Sequence, residues 1–137
     1  INEELVEVEV QGSKYYKRLE DSIVSRLGAP AEPIPGKKKA MVTLNGKSKE
    51  YKLKPGENTV GRDIENDIVL SDPRVSRSHC RIDIDPEGRC FMIDLGSSRG
   101  TKVNGKKCHQ TGLTLDSVIL CGDTKIMIIA RFLVRFF

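Results

Sequence analysis

The stretch HCRIDIDPEGRCFMIDL, His79 to Leu95, decides the fold class. Two short runs, His79–Ile84 and Cys90–Leu95, are rich in β-branched and other apolar residues. They flank Pro86-Glu87-Gly88, a turn signal. Outward from this hairpin the pattern repeats. Met41-Val-Thr-Leu44, then Asn45-Gly46, then Tyr51-Lys-Leu53 form a second hairpin signal, because Asn-Gly supplies the positive φ angles of a tight two-residue turn. Further strands are predicted at 58–60, 68–70, 102–103, 113–115, 117–120 and 125–132. Pro55-Gly56, Gly96-Ser-Ser98, Asn104-Gly105 and Cys121-Gly-Asp123 separate them. No helical window survives between Met41 and Phe137. Many short strands with regular turns predict an all-β sandwich or barrel.

The first 39 residues read differently. Val6–Val10 alternates with period two and predicts a short strand. Between Gly12 and Gly28, residues Tyr15, Tyr16, Leu19, Ile23 and Leu27 recur at helical spacing. A helix there is expected to pack on the sandwich. Ala29–Lys39 holds three prolines and a lysine run, and reads as a linker whose end, Lys37-Lys38-Lys39, is solvated. The expected division is an extension and linker over 1–39 and a β domain over 40–137.

Composition bounds the function. The chain of 137 residues is 38% hydrophobic and 31% charged, which describes a globular domain. No apolar run approaches the roughly 20 residues that cross a bilayer. Glu3, Glu4, Glu7 and Glu9 occupy positions where a signal peptide needs basic and then apolar residues. A chain opening on Ile1 reads as a fragment of something longer. The cysteines, Cys80, Cys90, Cys108 and Cys121, include no C-x-x-C pair, which argues against a zinc knuckle or redox motif. Cys80 and Cys90 fall among strand residues and read as buried, reduced thiols, so an intracellular compartment, cytoplasmic or nuclear, is expected. The net charge of +4 belongs entirely to residues 41–137. It points to an anionic ligand more than to a long nucleic-acid track.

The candidate site centres on SDPRVSRSHC, Ser71–Cys80, with two arginines, three serines and a histidine in ten residues. Ser76 or Ser78 beside His79, with Asp94 elsewhere, contains the ingredients of a hydrolase triad. Ser78 and His79 are adjacent, however, so their side chains point to opposite faces of a strand, and no nucleophile elbow is present. His79 and His109 have no partners at metal-ligand spacing. The glycine-rich fragments lack the order of a nucleotide-binding loop. The anion reading is better supplied. Gly61 lets the chain turn closely before Arg62, whose planar fork of donors matches two phosphate oxygens. Ser76 offers a hydroxyl donor and Arg77 a second cation.

The ordered words NTVGRD (58–63), IVLSDPRVSRSH (68–79), MIDLGSSRGTKVNG (92–105) and LCGDTKIMI (120–128) resemble the forkhead-associated (FHA) domain, a phosphothreonine-binding module. The resemblance covers roughly Met41 to Phe132, about two thirds of the chain. It implies an FHA-type β-sandwich of about eleven strands with its binding site in the loops at one end. It further implies that Arg62 holds the phosphate, that Ser76 and Arg77 add contacts, and that Ser98 meets the ligand near the phosphothreonine. Gly61 supports the site; His79 braces the loops from behind; Gly100 and Thr101 shape the second loop, and Asn104-Gly105 forms the next turn. One position departs from the family. Asparagine usually precedes the glycine of the Gly100-Thr101 pair and bonds the peptide backbone. Arg99 stands there, and it can donate to a carbonyl but cannot accept from an N–H.

The expected function is therefore non-catalytic recognition of phosphothreonine in a partner protein, without cofactor or metal. Two alternatives stand beside it. One is a phosphate-independent interaction domain of the same fold. The other is a nucleic-acid binder, supported only by net charge, which would show a steep salt dependence.

Overall fold

The computed structural model describes residues 4–11 and 31–136, and side chains within 31–131. The described residues form twelve strands in two sheets. They are β1 (Glu4–Gln11), β2 (Lys37–Leu44), β3 (Lys47–Lys52), β4 (Gly56–Gly61), β5 (Ile68–Val69), β6 (Cys80–Ile84), β7 (Cys90–Asp94), β8 (Thr101–Val103), β9 (Lys106–Lys107), β10 (Gln110–Leu113), β11 (Ile119–Cys121) and β12 (Thr124–Phe136). One sheet runs β3-β2-β12-β11-β8-β9, with β1 also paired to β12; the other runs β10-β7-β6-β4-β5. All pairings are antiparallel except β4 with β5.

Alternation builds the sandwich. In β6, Cys80, Ile82 and Ile84 point inward, while Arg81 and Asp83 face out and pair at 3.0 Å. Cys90 and Met92 of β7, Val60 of β4 and Leu113 of β10 complete one inner face. Ala40, Val42, Val103, Ile119, Cys121, Ile126 and Ile128 supply the other. A side-chain period of two puts one face of each strand into this core. The Cys80 and Cys121 sulfurs meet between the sheets at 3.8 Å as free thiols. Burial pushes the Cys90 thiol up to about 11, so it stays protonated at neutral pH. Among the described residues no helix is long and apolar enough to cross a membrane.

The eleven strands from β2 to β12 match the expected sandwich, and β1 adds a twelfth. The helix expected from Ser13 to Leu27 lies outside the described residues. Two readings are corrected. Lys37–Lys39, expected at the end of a linker, are the first residues of β2 and pair with Arg131, Ala130 and Ile129. The long β12 offers backbone partners there, and lysine stems lie along apolar surface while their amines reach water. Ala31 and Ile34, inside the proline-rich segment, are buried. The Ile34 N–H donates to the Gly88 carbonyl at 3.1 Å. β9 has no counterpart among the expected strands; it is two exposed lysines held by the Asn104-Gly105 turn to β8.

Candidate functional site

Two loops meet at one end of the sandwich, the 71–79 segment ahead of β6 and the 95–100 segment between β7 and β8. The β4–β5 connection lies against the first of them. Backbone bonds lock it there: Arg62 N–H donates to Ser76 O at 3.0 Å, Asp63 N–H to Arg77 O at 3.2 Å, and His79 N–H to Val60 O at 2.9 Å. The sequence permits this approach because residue 61 is glycine. A Cβ there would collide with the Arg77 carbonyl and press the Asn66 amide.

Arg62 is oriented before any ligand arrives. Its Nε donates to the Val75 carbonyl at 3.0 Å, which leaves the fork of two terminal nitrogens for other acceptors. Ser76 is oriented too. Its hydroxyl oxygen accepts the Ser98 N–H at 3.0 Å, so the O–H proton remains available to donate elsewhere. That bond also brings the two loops together. Arg77, Ser98 and Arg99 are exposed.

His79 is fully buried beneath them. Its Nδ1 accepts the Ser76 N–H at 3.1 Å, and its Nε2 donates to the Gly100 carbonyl at 3.0 Å. This pair of partners requires the neutral ring with its proton on Nε2. Both nitrogens are engaged by backbone groups, so neither can take a proton from a serine hydroxyl. The third member of the considered triad is engaged as well. Asp94 Oδ1 accepts the Ser97 and Thr101 hydroxyls, at 2.5 and 2.7 Å, and Oδ2 accepts the Gly96 and Ser97 N–H groups, at 3.0 and 3.1 Å. Burial alone raises the Asp94 pKa, but these four bonds outweigh it and hold the carboxyl below its ordinary value. Asp94 is thus the clamp of the 95–100 loop.

Gly100 sits at a φ of +81°, and a Cβ there would meet the Lys107 side chain, which lies across it. A 340 Å³ cavity opens between this loop and Lys107–His109. Asn104 and Gly105 both take positive φ, +52° and +82°, as the Asn-Gly turn demands. Asn104 Oδ1 accepts the Val118 N–H at 2.9 Å and so ties this turn to the segment before β11.

The structure thus brings Gly61, Arg62, Ser76, Arg77, His79, Ser98, Arg99, Gly100 and Thr101 to one end of the fold, with Asn104 one turn further on. Sequence reasoning missed Asn66, Asp72 and Lys107, and it read Asp94 only as a triad ingredient. Asn66 Nδ2 donates to the Asp63 and Arg77 carbonyls at 2.9 and 2.7 Å. Asp72 is buried and accepts the Arg74 and Asp123 N–H groups at 3.0 and 2.8 Å and the Thr124 hydroxyl at 2.9 Å. Asn and Asp in tight connections are a general signal for such bonds to backbone, but that signal does not name the distant partner.

The arginines divide sharply. Arg74 pairs with Asp123 at 2.9 Å, Arg81 with Asp83 and Glu57, and Arg89 with Asp85 and Glu87. Arg131 also has a partner. Among the described residues, Arg62, Arg77 and Arg99 have no carboxylate within ion-pair distance. Three exposed arginines on the loops that carry a prepared hydroxyl donor, none of them ion-paired among the described residues, can hold an anion.

Comparison with known proteins places the sequence and the fold among relatives. A family model described as the FHA domain matches residues 58–122. FhaA, an FHA domain-containing protein of Mycobacterium tuberculosis, is 32% identical over 84 residues, 61% of this chain; the chain spans 16% of that protein's length. An oxoglutarate dehydrogenase inhibitor of Corynebacterium efficiens is 30% identical over 102 residues, covering 73% of this chain and 71% of that protein. A solved domain studied for phosphothreonine-dependent FHA interactions is 31% identical, with a TM-score of 0.60 over 66% of this chain and 94% of its own.

Proposed function

Because the chain belongs to the FHA domain family, we propose that its loop end recognises phosphothreonine in a partner protein. Arg62 grips the phosphate with its two terminal nitrogens, Ser76 donates its hydroxyl, and Arg77 adds a second cation. Ser98 and Arg99 meet the peptide beside it. A phosphate near neutral pH carries about −1.5 to −2 charges and three strong acceptor oxygens, which suits two donors already oriented, Arg62 and Ser76, with the Arg77 cation beside them. The observation that carries the reading is that, among the described residues, Arg62, Arg77 and Arg99 have no carboxylate within ion-pair distance while Arg74, Arg81 and Arg89 each have one.

FHA domains are non-catalytic interaction modules. Absence of catalysis in this chain is part of the proposal, and it is supported by His79 and Asp94, whose polar atoms are all committed to holding loops. An intracellular setting is part of it too, in keeping with four free cysteines.

The test is titration of a phosphothreonine peptide, its unphosphorylated twin and the Arg62→Ala variant. Bonds to charged groups contribute about 1.5–3 kcal/mol each, so loss of two weakens binding roughly a hundredfold or more. Equal affinity for the two peptides would favour the second reading, a phosphate-independent docking domain. Arg99 is the feature that supports that alternative, since it cannot accept a peptide N–H as the usual asparagine does.

A further inference from the structure

Two large hydrophobic side chains are conspicuously exposed among the described residues, Ile64 at 85% and Leu95 at 38%. Single exposed aliphatics are ordinary on protein surfaces. Both stand on segments that carry site residues. Ile64 follows Arg62 by two residues, and Leu95 opens the loop that carries Ser98 and Arg99.

The turn that carries Ile64 is built, not loose. Asp63 N–H donates to the Arg77 carbonyl at 3.2 Å, and Asn66 N–H to the Asp63 carbonyl at 3.1 Å. Asn66 Nδ2 donates to both of those carbonyls, and Glu65 N–H donates to Asp63 Oδ1 at 3.1 Å. Ile64 is therefore held outward by bonds on both sides, and the anchor is the backbone of Arg77, a residue of the anion cradle. A side chain on a turn already fixed in this way requires little further ordering on contact, so its apolar burial translates more fully into affinity.

We propose that Ile64 is a specificity-determining residue that packs against an aliphatic side chain of the bound segment, on the Arg77 side of the phosphate. The proposal rests on the phosphothreonine reading above. Charge commits the occupant. A second copy docking through this same face would gather two sets of Arg62, Arg77 and Arg99 into one contact, since a two-fold interface uses the same patch on both copies. A segment with a phosphate beside an aliphatic residue supplies both the anion and the apolar contact.

The experiment titrates the chain with phosphothreonine peptides in which leucine replaces serine at each position, one to four residues either side of the phosphothreonine. Burial of about half of each aliphatic side chain predicts roughly a tenfold preference for leucine at one position. In Ile64→Ser that preference falls toward onefold; in Ile64→Val it persists. An undiminished preference in Ile64→Ser, or no leucine preference in the parent, overturns the proposal while the phosphothreonine reading stands. Failure of every phosphopeptide to bind the parent overturns both. Sedimentation that shows a dimer in the parent and a monomer in Ile64→Ser would name a second copy as the occupant, and would overturn it too.

Discussion

His79 Nε2 lies 3.0 Å from the carbonyl oxygen of Gly100, and this one bond spans the two loops of the site from beneath. Through Nδ1 the same ring holds the Ser76 N–H. His79→Ala would leave a half-buried N–H and a half-buried carbonyl without these partners, each costing up to about 1–3 kcal/mol. The expected outcome is a melting temperature lowered by roughly 10 °C, with phosphopeptide affinity falling alongside. Calorimetry and titration of the same sample check it. Native stability with lost binding would instead put the imidazole in contact with ligand.

Gly61→Ala tests the close approach of the β4 end to Arg77. The added methyl has to displace the Arg77 carbonyl or the Asn66 amide. Overpacking of this kind costs about 1–3 kcal/mol, read from urea unfolding. Because Arg77 moves with its backbone, binding weakens as well. Wild-type stability in this variant would show that the two segments separate freely.

Acid should loosen the site from within. Burial raises the pKa values of both Asp94 and Asp72, but their hydrogen bonds outweigh it and leave each below the ordinary carboxylate value. As pH falls, the unfolded chain takes up these protons first. The stabilisation is therefore complete above the ordinary aspartate pKa of about 3.9, and it is lost as pH drops through and below that value. Urea midpoints measured between about pH 6 and pH 2.5 should decline at the acid end. The decline should be shallower in Asp94→Asn; an unchanged slope would remove Asp94 from the account.

Arg99 and Lys107 give the rim a sign. Arg99 has no carboxylate partner among the described residues, and the Lys107 stem lies across Gly100, so its ammonium borders the loop. Acidic residues near the phosphothreonine should strengthen binding by about 0.2–1 kcal/mol per exposed pair. The gain should shrink with salt. A peptide library read at two salt concentrations, with Arg99→Asn and Lys107→Gln alongside, measures this. The same acidic preference in all three proteins would show that neither cation selects the ligand.

Much of the fold is legible without coordinates. Alternation in Cys80–Ile84, the Asn-Gly pairs and the absence of a helical period after Met41 state the strand content directly, because these signals are local. Gly61-Arg62 and Ser76 through His79 are legible for the same reason, as short words with their own chemistry. Beyond the two hairpins, β2 with β3 and β6 with β7, strand pairing is not legible. That Lys37–Lys39 join a strand depends on the length of β12 across from them, which no property of three lysines announces. The roles of Asn66, Asp72 and Asp94 depend on carbonyls, N–H groups and hydroxyls 2 to 52 residues away along the chain. Tertiary structure also decided which arginines have carboxylate partners. Arg74 and Arg77 look equivalent in SDPRVSRSHC, yet the β11–β12 turn brings Asp123 to Arg74, and nothing among the described residues neutralises Arg77. Sequence determined the donors of this site; only the packing of distant turns determined which of them remain free for an anion.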